Sequence, residues 1–393
     1  MLHESPLKSL LEDEAARLHS DRSPAVGSQR PGAATGQPVE GAGAEFIPWG
    51  PPDEQGDMAC EILSTLGSVE VEYASIRRAC ARFDAAMRGT LTVDGDDARD
   101  FMDRMLSQKL VDIAPGRGAC AFLVDRTGRL QGDLKILHVG DRLLVDVDIH
   151  QAATVASTLD GFIFSEDVRV EDVSDQWHRI ELHGPEAGAD FDELESMGGC
   201  SLQMAGHEVH VLRHDRLGVP GYDLFVRIEH AAEVWSALKC ATTGWFAYNM
   251  ARIEGGTPMC NIDFGPGTLP HETSLVPSRV SFNKGCYPGQ EIVARLEHRG
   301  SPKQVIRGLR MQGDTLPVAG SQVYPEAEGA LGQPIGMVTS SCLSPMLGST
   351  PIAFAMLRTK SSEPGTTVRV HDEGEGGVAV IGPLEFLDQE PES

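Results

Sequence analysis

Apolar positions along this chain change their period several times, and those changes divide it into units. Ala98, Phe101, Met102, Met105 and Leu106 recur at i, i+3, i+4, i+7 and i+8, which predicts an amphipathic helix. Around it the pattern tightens toward alternation. Residues 89–93, 119–124, 130–139 and 142–147 read as strands, with Asp125-Arg126-Thr127-Gly128 and Gly140-Asp141 as turns. A helix over 151–159 and a strand over 168–170 complete the unit, and a further helix carrying Ile76 and Phe83 precedes it. The order β-α-β-β-β-α-β predicts an α+β sandwich.

A second unit of the same kind follows, with strands over 180–182, 207–212 and 223–228 and helices over 231–239 and 245–253. After Ser301-Pro302 the helical period disappears. Short strand-like runs at 305–311, 336–339, 352–357, 367–370 and 378–381, divided by Gly and Pro, predict a small all-β barrel or sandwich. Residues 23–57 are rich in Gly, Pro and Ala and read as extended or partly disordered, with Phe46, Ile47 and Trp49 available to dock on the body. The expected division is therefore an N-terminal extension (1–72), two α+β units (73–170 and 171–300) and a β-rich C-terminal domain (301–393).

A chain of 393 residues exceeds what one core fills, in keeping with several domains. Its formal net charge of −25 repels phosphate backbones, so no direct nucleic-acid partner is expected. No apolar run has the length of a membrane span, and the charged N-terminus lacks a signal-peptide core; the reading is a cytoplasmic monomer without a membrane partner. The eight cysteines contain no CxxC pair, and most are expected to be reduced and buried. The histidines give no HExxH pattern, so no metal site is expected.

Candidate chemistry gathers at KGCYPGQE, Lys284 to Glu291. Cys286 lies between glycines, two residues after Lys284 and just before a helix predicted from Gln290, whose apolar face is Ile292, Val293 and Leu296. A cation and a helix N-terminus both favour a thiolate. A strand-like run over 279–282 precedes the motif, and six basic residues against two acidic ones between Lys284 and Arg310 suggest an anionic ligand or partner. Two readings of Cys286 stand side by side, a reactive thiol and a buried structural residue. Glu291 and Arg295, at i and i+4, either serve a ligand or pair with each other. Asp133 sits on the polar side of the strand 130–139, beside Gln131 and Lys135, and faces either a cavity or water. Arg252 and Glu254 in ARIEGGTP position a ligand or end a helix, and Tyr222 stacks on a flat ring or packs in the core.

Taken in order, RGTLTVDGDDARDFM, GRLQGDLKIL, ELHGPEA, LGVPGYDLFV, ARIEGGTP and VSFNKGCYPGQEIVARLEHRG resemble the YgfZ-type folate-binding proteins, relatives of the glycine-cleavage T-protein (aminomethyltransferase). The resemblance spans about residues 73–387. It implies a three-domain ring of two ferredoxin-like α+β domains and a β-barrel, with tetrahydrofolate or a derivative in a central cavity. It implies Asp133 as the folate-holding aspartate, Cys286 and Lys284 as functional residues, and Tyr222, Arg252, Gln290, Glu291 and Arg295 around the cofactor. The aminomethyltransferases' TGE-G-Y run is absent, since Val219-Pro220 precede Gly221-Tyr222, and the cysteine motif is not theirs. The expected function is thus a folate-binding accessory protein that helps assemble or repair an iron–sulfur client, including tRNA-modifying enzymes. The alternatives are a folate-dependent aminomethyl- or methyltransferase and a scaffold with a vestigial folate cavity.

Overall fold

The computed structural model describes residues 4–22, 43–50, 60–189, 191, 194–326, 332–371 and 376–387. Most of the Gly/Pro/Ala-rich stretch therefore lies outside the described residues.

The first sheet has five strands in the order Gly118–Val124, Leu130–Val139, Arg142–Asp148, Arg88–Asp94 and Arg169–Asp172, all antiparallel. Helices Ala98–Met105 and Ile149–Asp160 cover one face, burying Phe101, Met102, Val155 and Leu159 against Leu91, Leu134, Ile136 and Val145. The second sheet has six strands in the order Gly199–Met204, His207–Arg213, Gly221–Arg227, Trp177–His183, Ala81–Asp84 and Ala241–Thr243. Phe83 thus lies in a strand and not in the expected helix, which ends at Arg78. Ala81–Asp84 precedes the first sheet in sequence yet pairs with Trp177–His183 of the second, so the two units interlock. Cys80, beside that strand, is disulfide-bonded to Cys240, 160 residues away. The other six cysteines take part in no disulfide.

The outer face of the second sheet is sealed by Val234 and Trp235 of helix Ala231–Ala237 and by Leu11 and Ala15 of the N-terminal helix Lys8–Arg22. The strand Glu45–Pro48 pairs with Glu61–Thr65, and the Trp49 indole N–H donates to Asp148 Oδ2 at 3.0 Å. The C-terminal strands close into a six-stranded barrel filled by Leu309, Val338, Ala353, Leu357, Val368 and Ile381. No helix among the described residues is long and apolar enough to cross a membrane.

The inner faces of the two sheets meet in a seam. One end is apolar, with Leu137, Leu144, Trp177, Leu212 and Phe225. Its middle is charged because alternation along Trp177–His183 sends Ile180 and Leu182 to the outer core and Arg179, Glu181 and His183 inward. Asp146 receives Arg88 at 2.8 Å, Lys135 at 3.1 Å and Arg179 at 3.2 Å. Lys135 also reaches Asp223 at 2.6 Å, and Arg216 bridges Asp223 at 2.6 Å and Glu181 at 2.8 Å. Burial alone would raise the Asp146 carboxyl, but Arg179, Arg88 and Lys135 outweigh it and hold it well below the usual carboxylate range. Burial and Arg216 act on Glu181 with the same outcome. His183 and His214 are pushed down, foremost by burial and, at His214, also by Arg216, Lys135 and Arg279.

A second buried junction joins the barrel to the helices. Glu254 accepts from the Tyr73 and Ser344 hydroxyls and from Arg77 Nη2 at 2.5 Å, and its side chain is fully buried.

Two predictions follow from these networks. The folded pKa values of His183 and His214 are depressed while the unfolded chain protonates them below about pH 6.5, so as pH falls from there toward each folded value the fold loses up to about 1.4 kcal/mol per pH unit for each. The depressed Asp146 and Glu181 contribute stability that is full above about pH 4 and lost as pH falls toward their folded values. A melting-temperature profile should therefore decline in two limbs, and the double variant His183→Gln/His214→Gln should flatten the upper limb alone. Glu254→Ala strands Arg77 without its carboxylate and should cost about 3–5 kcal/mol in denaturant unfolding.

Candidate functional site

The strand Leu130–Val139 carries Asp133 and Lys135 on its seam face and Leu134 and Ile136 on its helix-covered face. Lys135 is consumed by the seam, whereas Asp133 stands at its edge with a side chain 16% exposed. Arg279 Nε donates to Asp133 Oδ1 at 2.9 Å. That arginine is fixed in turn, because its carbonyl accepts from the Ser107 hydroxyl at 2.7 Å. Its charge is reinforced: burial opposes it, but Asp133 raises it further. The Cys120 thiol lies 3.8 Å from His214 Nε2 and is pushed up by burial.

The chain between residues 255 and 269 folds over the start of the same strand, where Leu130 N–H donates to Thr268 at 2.8 Å and Gly267 N–H to Leu130 at 3.0 Å. A cavity of about 390 Å³ opens there, lined by Trp49, His150, Gln151, Asn261, Ile262 and Pro266. Asn261 holds φ at +66°, in the left-handed region that asparagine tolerates better than most residues. Gln151 joins the cavity to the strand: its Nε2 donates to Asn261 Oδ1 at 3.3 Å, and its Oε1 lies 3.8 Å from where a side chain on Gly132 would begin. Cys260, beneath the cavity, is pushed up to about 12 by burial and by the charge of Asp133. Asp133 stands at the edge of the charged seam, while Gln151, by its approach to Gly132, ties the cavity to the opposite face of the same strand.

Several expected site residues fall elsewhere. Tyr222 lies on the outer face of its strand, packed 4.8 Å from Phe191 between ring centroids, and its neighbour Asp223 takes the seam position. Arg252 is fully buried and bound to Asp263 at 2.7 Å, whose other oxygen accepts from Thr339 and Ser340 of the barrel; it ties domains together and does not line the cavity. The expected strand over 279–282 is absent, and Val276–Arg279 is a helical turn instead, since Pro277 suits a first turn but cannot donate in a ladder.

The octapeptide also departs from expectation. Lys284 Nζ is held by the carbonyl oxygens of Asp103, Leu106 and Gln108 at the C-terminus of helix Ala98–Met105, the place where a cation is best accommodated. Its ammonium is committed there and is not directed at Cys286, and burial lowers its pKa. Cys286 is exposed in a groove with Phe101, Met105, Phe162, Phe164 and Tyr287, which shares no lining residue with the cavity formed by Trp49, Gln151 and Asn261. Helix Gln290–Arg299 forms as expected, entered through Gly289 at φ +75°. Gln290 is half-buried at its first turn, and Glu291 and Arg295 are exposed and make no ion pair among the described residues. None of the three reaches the seam residues that surround Asp133.

Sequence reasoning missed Asp146, Arg179, Glu181, Arg216 and Asp223. The available signal was charge at alternate positions of strands whose intervening residues are apolar, as in Trp177–His183.

The chain matches the GCVT N-terminal domain over residues 61–284 and the glycine cleavage T-protein C-terminal barrel domain over residues 304–388. It is 26% identical over 333 residues to a probable aminomethyltransferase of Natronomonas pharaonis, covering 82% of this chain and 91% of that protein. It is 28% identical over 319 residues to an aminomethyltransferase of Streptomyces coelicolor, covering 76% and 84%. The crystal structure of glycine cleavage system aminomethyltransferase T from Bartonella henselae shares the fold, with a TM-score of 0.76 over 88% of this chain and 95% of that one at 21% identity. These relatives overturn the expected accessory role in iron–sulfur assembly and tRNA modification and favour the transferase alternative. With both of its domains matched in order, the chain belongs to the glycine-cleavage T-protein family.

Proposed function

We propose that this protein is a folate-dependent one-carbon transferase of the aminomethyltransferase type, working at Asp133. The observation that carries the reading is the Arg279–Asp133 pair, a carboxylate fixed at 2.9 Å at the partly exposed edge of a buried charged seam. The relatives named aminomethyltransferase support the same reading.

The residues at the seam suit a folate. Arg179 Nε and Nη1, Arg216 Nε, His183 Nδ1, His214 Nδ1 and Glu181 Oε1 are buried without a hydrogen-bond partner. Each such atom costs about 1–3 kcal/mol unless something answers it. Together they offer donors and an acceptor to a polar ring. When bound, tetrahydrofolate would supply the nitrogen that accepts the carbon unit. Asp133 would hold a ring N–H and take the proton released as the new bond forms, a role suited to a carboxylate that stays 16% exposed at the seam edge. Arg279 holds that carboxylate in one orientation. His214, kept neutral beside Cys120, would accept or donate a hydrogen bond without adding charge. The cavity lined by Trp49, Gln151 and Asn261 would receive the donor side of the reaction. Within the family, the KGCYPGQE octapeptide supports kinship with the YgfZ-type branch; the transfer reading does not draw on it.

Tetrahydrofolate should raise the melting temperature, and an aminomethyl or N-methyl donor should release its amine only when tetrahydrofolate is present. Asp133→Asn should retain the fold and lower single-turnover transfer by about 10²-fold or more. Absence of folate-dependent amine release across a donor panel would overturn the proposal, and absence of any thermal shift as well would leave a scaffold with a vestigial cavity.

A further inference from the structure

The tip of the hairpin formed by Gly199–Met204 and His207–Arg213 meets the short helical segment Ile228–His230 and the first turn of Ala231–Ala237. Three side chains converge there. His207 Nε2 lies 2.8 Å from Glu233 Oε2, and His230 Nδ1 lies 3.7 Å from the same oxygen. One ligand-type atom from each residue lies within 4.8 Å of the others. The two imidazole rings stack with centroids 3.7 Å apart and 11° between their planes.

The two ring planes run nearly parallel, so in the observed rotamers their in-plane lone pairs do not meet, and one imidazole has to turn for both to face a shared ion. A divalent ion answers all three groups at once. Bound at about 2.0–2.2 Å by two nitrogens and a carboxylate oxygen in tetrahedral geometry, it would place the ligand atoms about 3.3 Å apart, between the two separations observed. His230 and Glu233 are three residues apart across one helical turn and so share a face, and His207 is delivered by the hairpin. Both histidines are half-buried and Glu233 is 62% exposed, which leaves a fourth position for water.

We infer that His207, His230 and Glu233 form a binding site for a divalent transition-metal ion, of the class that prefers imidazole with carboxylate, such as Zn²⁺. The site is on the second sheet's hairpin edge, apart from Asp133 and from the cavity lined by Trp49 and Gln151, and does not depend on the proposed transfer chemistry. Its ion ties the hairpin tip to the helix that carries Val234 and Trp235 into the core, so it acts as a structural clip.

The test is calorimetric titration of the intact protein with Zn²⁺ at neutral pH, together with melting curves with Zn²⁺ and after chelation. Wild type should take up one ion at this site and melt higher with it. His207→Ala and His230→Ala should each weaken that uptake by at least about tenfold, a loss seen even when only a ligand's supporting partner is removed. Their double variant should lose the thermal shift, while His298→Ala, at an exposed histidine elsewhere, should behave as wild type. Replacement by Co²⁺ should give the visible absorption of a low-coordinate site in wild type and not in the double variant. Wild type without Zn²⁺ uptake, or a double variant with undiminished stoichiometry and affinity, would overturn the inference.

Discussion

Asp146 carries three cations, Arg88, Lys135 and Arg179, with no exposed surface of its own, and the meeting of the two sheets depends on that carboxylate. Three buried positive charges drawn to one anion would be prohibitive without further compensation. Asp223 and Glu181 supply it from the opposite sheet, through Lys135 and Arg216. The network therefore crosses the seam in both directions, and neither sheet can close its inner face alone. The seam's four cations, Arg88, Lys135, Arg179 and Arg216, outnumber its three carboxylates among the described residues. That surplus favours a polar or anionic occupant at its edge.

From this constraint the site follows. Lys135 is locked into the network two residues from Asp133, so the strand has no freedom to turn Asp133 away from the seam edge. Arg279 reaches Asp133 from a helical turn that precedes the octapeptide, and Ser107 pins that turn to the first sheet. Lys284 adds a second pin at the end of helix Ala98–Met105. The octapeptide region thus braces the residue that orients Asp133, whereas Cys286 itself faces a separate surface groove.

The sequence made much of this legible. Leu130–Val139 and Gln290–Arg299 fall at the expected limits, because an alternating run between turn residues and a helical run after Pro-Gly are local signals. Asp133 stood out as a carboxylate in mid-strand. Tyr222 was misplaced because the residues of Gly221–Arg227 are nearly all buried, so hydrophobicity does not tell its inner face from its outer one. Arg252 looked available because nothing nearby in sequence balances it, and its partner Asp263 arrives through a loop. The Cys80–Cys240 bond was equally silent, since each cysteine is isolated in sequence.

By itself the sequence determined the kinds of elements, their order and the loss of helical period after Pro302, since periods of 2 and 3.6 are written into neighbouring residues. It also pointed to kinship with the glycine-cleavage T-protein, through segments that keep their order along the chain. Tertiary structure alone decided which face of each strand met another sheet, that Ala81–Asp84 would complete a sheet formed mostly from later residues, and which charges were answered. The reason is physical. A side chain's alternation is fixed by its own backbone, but the partner that makes a buried charge tolerable is supplied by strands up to about a hundred residues away, as Asp223 is for Lys135.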